Sequence, residues 1–275
     1  MNKTLITAVC LLVSSFVFSQ KTIGDLIAAE RSFAAFSVAH STKEAFEAFI
    51  DSNSVMFEGD KPVKAVDFWS KREKKPGVLN WYPQVAEIAS SGNFGFTTGP
   101  WTFRASPTDT VAARGQYMTV WYLDKSGNWK FLVDLGADAV PAVDSSYVRI
   151  FDMPRTSGAM KAVPHIYPLV AAEKQCNQQF RQNRLKAYHS FLSAQSVLVR
   201  TGRAPALLPA EQSALIRNTP AKAVFQMEGW GVSVQEDMGY TYGIVTVNGK
   251  KDNYMRIWRH EKKGWVIAAE VVRYQ

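Results

Sequence analysis

The sequence predicts an α+β protein of two similar halves, each with three helices packed on a curved antiparallel sheet. Three observations predict it. The first is the stretch Gln116 to Gly136, which reads as two long strands joined by a tight turn. Tyr117, Thr119 and Trp121 alternate there with Met118, Val120 and Tyr122, the period-2 pattern of a strand with two different faces. Asp124-Lys-Ser-Gly127 supplies the turn, and Trp129 to Asp134 the return strand. The second observation is that Asn253 to Val271 repeats this hairpin. Tyr117, Met118, Trp121, Lys125, Gly127 and Trp129 match Tyr254, Met255, Trp258, Lys262, Gly264 and Trp265, and Asp134 is answered by Glu270. The third is that in both halves the helix signals come before the antiparallel meander, so the helices are available to cover one apolar sheet face.

The repeat runs upstream with its order kept. Leu26-Ile-Ala-Ala-Glu-Arg31 pairs with Leu169-Val-Ala-Ala-Glu-Lys174, Ser54-Val55 with Ser196-Val197, and Gly95-Phe-Thr-Thr-Gly99 with Gly239-Tyr-Thr-Tyr-Gly243. The spacing stays within one residue of 143 until the hairpin, where it drops to 137. The first half therefore carries a longer connection near Arg104 to Arg114, where Ser106-Pro-Thr-Asp109 suits a surface loop. A period of this size is that of a whole domain, far above a solenoid unit.

In order, Thr22 caps a helix over about 23–39 with Asp25 as its reciprocal partner, and Ser41 with Glu44 opens a second ending near Ile50. Asp51 to Asn53 is a turn and Ser54 to Phe57 a strand. A third helix is expected from Asp60-Lys-Pro62 to Arg72, because proline suits a first helical turn. Pro76-Gly77 breaks the pattern. Strands follow near 82–90 and 94–103, then the hairpin. Prolines 141, 154, 164 and 168 interrupt the next stretch, with Tyr147 to Phe151 as a short apolar piece able to dock on a domain. The second half brings a helix from Pro168 to about Gln182, another over 184–193, a strand over 197–200, a helix from Pro209 through Leu215, and a sheet from Ala223 to Val272.

The expected boundaries are a signal peptide over 1–19, a first domain over 20–138, a linker over 139–166 and a second domain over 167–275. Lys3 followed by the apolar run Leu5 to Phe18, with small residues before a cut near Ser19, is the pattern of a secretory signal, which implies a secreted or periplasmic protein with no membrane insertion after cleavage. Cys10 leaves with it, and Cys176 in a helical pattern reads as buried and inert. Residues 21–150 hold 14 Lys and Arg against 15 Asp and Glu, and residues 151–275 hold 17 against 9. A basic second half without a nucleic-acid motif, in an exported chain, argues for a small anionic molecule, an acidic envelope surface or a solvated basic face, and against nucleic acid.

With these residues on the page, each half resembles the nuclear transport factor 2-like superfamily, in particular its SnoaL-like and ketosteroid-isomerase-like branches. Ala28-Ala-Glu30, Ser54-Val-Met-Phe57, Gly95-Phe-Thr-Thr-Gly99 and Tyr117…Trp121…Gly127-Asn-Trp129…Asp134 carry the resemblance, and the second half repeats them. It implies a cone, a strongly curved sheet and helices enclosing a pocket. It also implies that the family's enzymes use a carboxylate, or an Asp/His pair, in an apolar pocket. The candidates for that carboxylate are Asp134 and Glu270, each also suited to a structural role at a strand end. No two histidines are placed as a catalytic pair, no spacing suggests metal ligands, and no cofactor is expected. The halves differ where Thr119 aligns with Arg256 and Glu58 with Arg200. Arg200 and Arg256 are therefore candidate ligands for an anionic group in the second pocket, against a reading in which they sit on the solvent face or pair with Glu228, Glu236 or Glu270. Tyr117, Trp121, Tyr254 and Trp258 are the other candidate binding residues.

Three functions compete. The favoured one is an exported two-domain protein that binds a small molecule or envelope component without catalysis. The others are an isomerase, dehydratase or hydrolase with a pocket carboxylate as base, and a scaffold or protein-interaction module. Two copies in one chain are expected to form an internal pseudo-dimer and hence a monomer.

Overall fold

A computed structural model describes residues 21–139, 149–152 and 168–274. The expected signal peptide and most of the expected linker lie outside the described residues. The first half opens with α1 (Ile23–Ala39) and α2 (Thr42–Phe49). Thr22 caps α1 as expected: its hydroxyl accepts from the Asp25 N–H, and the Asp25 carboxylate accepts from the Thr22 N–H at 2.7 Å. Ser41 caps α2 by accepting from the Glu44 N–H.

The expected third helix from Pro62 is corrected. Strands β1 (Val55–Glu58) and β2 (Lys61–Lys64) form a hairpin, and α3 (Ala65–Ser70) begins only after it. Gly59, at φ +60°, makes the turn that a helix start would not need. Pro62 is tolerated because β2 is an edge strand, where a missing N–H breaks no ladder. The expected strand near 82–90 is two strands, β3 (Val78–Trp81) and β4 (Val85–Ile88), both paired with β5 (Phe94–Arg104). The hairpin is β6 (Ala113–Leu123) and β7 (Trp129–Asp138), and β8 (Arg149–Asp152) adds to β4 in parallel. The sheet order is β2-β1-β7-β6-β5-β4-β8.

The second half repeats this with α4 (Pro168–Gln182), α5 (Arg184–Phe191), β9 (Leu192–Arg200), α6 (Pro209–Asn218), β10 (Ala223–Val232), β11 (Met238–Val247), β12 (Lys250–Glu261) and β13 (Gly264–Val272). Its sheet order is β10-β11-β12-β13-β9. One pair of glycines explains the shared sequence Gly-aromatic-Thr-x-Gly. A Cβ on Gly99 would stand 1.9 Å from the Tyr82 carbonyl oxygen, and one on Gly243 2.0 Å from that of Gln226. Only glycine permits that approach.

The chain is thus α+β, with two units of three helices against a curved, mainly antiparallel sheet. The two faces of each hairpin strand divide cleanly. Tyr117 and Trp121, like Tyr254 and Trp258, pack toward the helices of their own half. Met118 and Val120, like Met255 and Ile257, point the other way into one apolar core shared by both sheets. Polar contacts tie this junction. Arg259 Nη1 lies 2.7 Å from Glu87 Oε2, both nearly fully buried, and the Ser90 N–H donates to Asp237 Oδ2 at 2.7 Å.

Candidate functional site: an open cone and a filled one

In the first half, Glu30 sits on the buried face of α1 with no exposed surface. Its carboxylate accepts from Trp81 Nε1, from the Thr97 hydroxyl and from Trp121 Nε1, the last at 3.0 Å. Burial nevertheless pushes Glu30 up to about 7, against these donors. Asp134, on β7, accepts from Thr119 Oγ1 at 2.6 Å, and burial pushes it up to about 6. Tyr117 lies beside them. The residue is 94% buried, and its hydroxyl, held un-ionised by burial and the nearby Glu30, is within reach of Thr97 without forming a well-made hydrogen bond.

Above this group opens a cavity of about 420 Å³, within the range of small-molecule sites. Buried Phe33, Trp81 and Tyr117 form its inner wall, and exposed Asp138 stands at its rim. Asp134 retains some accessible surface although protein surrounds it, because that surface faces the cavity. Asp252 and Arg273, from the second half, also line it and pair with each other at 3.0 Å.

The second half has the same inner framework. Glu173 on α4 takes the place of Glu30, accepting from Thr241 Oγ1 and from the Tyr254 hydroxyl, each at 2.8 Å. Trp258 Nε1 donates to Thr241 Oγ1 at 3.0 Å, as Trp121 Nε1 does to Thr97 Oγ1 at the same distance. What differs is Arg256. Its Nη1 donates to Glu173 Oε1 at 2.8 Å and to Asn177 Oδ1 at 2.7 Å, and its Nε to Glu270 Oε2 at 2.6 Å. Its guanidinium carbon lies 4.3 Å from the Phe225 ring centre and 5.0 Å from that of Tyr254. Arg200 donates to Glu270 and to the Tyr188 hydroxyl. Burial alone would raise Glu270, but Arg200 and Arg256 outweigh it and hold the carboxyl down at about 2.

The expected binding residues therefore separate. Tyr117 and Asp134 come together on the first cavity, and Trp121 lies beneath it, fully buried. The anion site expected at Arg200 and Arg256 is corrected: both guanidiniums are fully buried, with their charges met by Glu173 and Glu270. Glu270 is the one acid of the alternative reading at Arg200 and Arg256 that takes both. So held, it is no poised base. Tyr254 and Trp258 are fully buried in the same filled cone. Glu30, absent from the expected set, proves central. Its recurrence as Glu173 in the repeated Ala-Ala-Glu was the available signal. Burial also pushes the Cys176 thiol up, so it is unreactive.

Among the described residues no group of three or more His, Cys, Asp or Glu is arranged to hold a metal ion, and no helix is long and apolar enough to cross a membrane. No family model and no curated protein matches the chain. Among solved structures, it is similar to a conserved protein from Planctomyces limnophilus, with 19% identity over 38% of this chain and 92% of that one, at a TM-score of 0.31. A nuclear transport factor 2-like protein of unknown function from Shewanella oneidensis shows 11% identity over 39% of this chain and 97% of its own, at 0.31. A nuclear transport factor 2-like superfamily protein from Salmonella enterica shows 13% identity over 45% and 93%, at 0.32.

Proposed function

We propose that the chain is an exported tandem of nuclear transport factor 2-like domains that binds a small, largely apolar molecule in the first cone without turning it over. The second domain acts as its filled structural partner. The observation that carries this reading is the contrast between the two cones. One framework holds an aromatic cavity with a cavity-facing carboxyl and an unsatisfied tyrosine hydroxyl, and the other holds Arg256. The sheets bury their outer faces against each other, which supports a monomer, and a stable dimer in sedimentation would contradict that part.

The test uses the neutral fluorophore N-phenyl-1-naphthylamine on mature protein. Saturable one-to-one enhancement is expected. It should vanish in Gly136→Leu, which places a side chain on the cavity wall where a Cβ meets nothing closer than 3.4 Å. No saturable signal in the native protein would contradict the reading.

A second reading, proton transfer by Asp134, is favoured by its position in the cavity and its carboxyl near 6. A ligand recovered chemically unchanged after long incubation would count against it.

A further inference from the structure

We infer that the ligand of the first cone is an organic cation, a guanidinium- or ammonium-bearing molecule with an apolar body. This rests on the reading of the first cone as a binding site. The argument is internal to the chain. Position by position, Glu30 corresponds to Glu173, Tyr117 to Tyr254, Trp81 to Phe225 and Asp134 to Glu270. Thr119 faces Asp134 across β6 and β7 in the register in which Arg256 faces Glu270 across β12 and β13. In the second half these positions surround one guanidinium: two carboxylates bind its nitrogens, and the Phe225 and Tyr254 rings lie 4.3 and 5.0 Å from its carbon. In the first half the carboxyls and the rings remain, and the guanidinium does not, because residue 119 is threonine. The framework that holds a cation in one copy is left without one in the other.

The rest of the first cavity fits such a guest. Aromatic faces attract cations, and here Phe33, Phe46, Trp69, Trp81, Trp101 and Tyr117 line the cavity. Its charged groups are Asp134, Asp138, Asp252 and Arg273, with Glu30 behind the wall. Arg273 is the one cation among the described lining residues, and it is paired with Asp252. Tyr117 is 94% buried, and its hydroxyl, lacking a well-made hydrogen bond, lies in the cavity wall near Glu30 and Thr97. Burial pushes Glu30 and Asp134 up, whereas Arg200 and Arg256 outweigh burial at Glu270 and hold it down.

The probes are benzylguanidinium and benzylurea, which share shape and differ in charge, titrated calorimetrically into mature protein at about pH 8, where Asp134 is ionised. The expected result is that benzylguanidinium binds at least about tenfold tighter. Asp134→Asn should abolish that preference. Thr119→Arg, which supplies the cation from within, should abolish binding while the protein stays folded, and this keeps the test sound even if Asp134→Asn folds poorly. Equal or tighter binding of benzylurea would overturn the cation while leaving the binding site standing. Binding of neither probe to the native protein would overturn both.

Discussion

Arg256 Nη1 stands 2.8 Å from Glu173 Oε1 with both side chains fully buried, and the residues at these places in the first half are Thr119 and Glu30. The pair closes the second cone, and its absence leaves the first one open. Removing one partner of a buried ion pair leaves the other without compensation. Arg256→Met should therefore strand Glu173 and part of Glu270, at a cost of about 3–5 kcal/mol in urea unfolding. A cost near that of an ordinary surface change would mean the network is not formed.

Glu30 should behave as a structural acceptor. Its oxygens receive two indole N–H groups and one hydroxyl. Glu30→Gln keeps the shape but turns an amide donor toward one of those donors. The expected loss is about 1–3 kcal/mol, with altered tryptophan fluorescence from Trp81 and Trp121. Unchanged stability and spectrum would contradict the arrangement.

Stability should fall as pH rises through the neutral range. Glu30 and Asp134 bind protons more tightly folded than unfolded, since their carboxyls rise from 4.5 to about 7 and from 3.8 to about 6. Their contribution is greatest below the unfolded values and declines until the folded values are passed. Glu270 acts oppositely, contributing above 4.5 and losing that contribution as pH falls toward about 2. Thermal midpoints should peak in mild acid, and Glu30→Gln should flatten the descent. A midpoint climbing steadily from about pH 5 to about pH 8 would contradict these assignments.

The two halves should unfold together. Arg259 and Glu87 form a buried pair across the junction, with Arg259 also donating to Ser193. Arg259→Ala should cost about 3–5 kcal/mol, and the double variant with Glu87→Ala should recover part of it. Strict additivity would show that the pair is not coupled.

Much of the fold was legible because its signals are local. Thr22 with Asp25, Ser41 with Glu44 and Pro209 announced their helices, alternation announced β6, and the repeat announced β12. Pro62 misled, because a proline suits both a first helical turn and an edge strand, and only the hairpin partner decides between them. The site was less legible. Both faces of β6 are apolar, so alternation separated Tyr117 and Trp121 from Met118 and Val120 without saying which set meets the helices. The change from Thr119 to Arg256 was visible, but its meaning required the partners. Glu173 and Glu270 arrive from a helix and a neighbouring strand, and burial makes an arginine there an internal ligand.

The most direct measurement is the carboxyl titration of Asp134 by carbon-13 NMR, in the native protein and in Thr119→Arg. The expected native value is about 6, from burial without a cation. In the variant it should fall, in the direction in which Arg200 and Arg256 move Glu270. An ordinary native value, unmoved by Thr119→Arg, would contradict the claim that the two cones share one framework and that an internal cation at this position separates them.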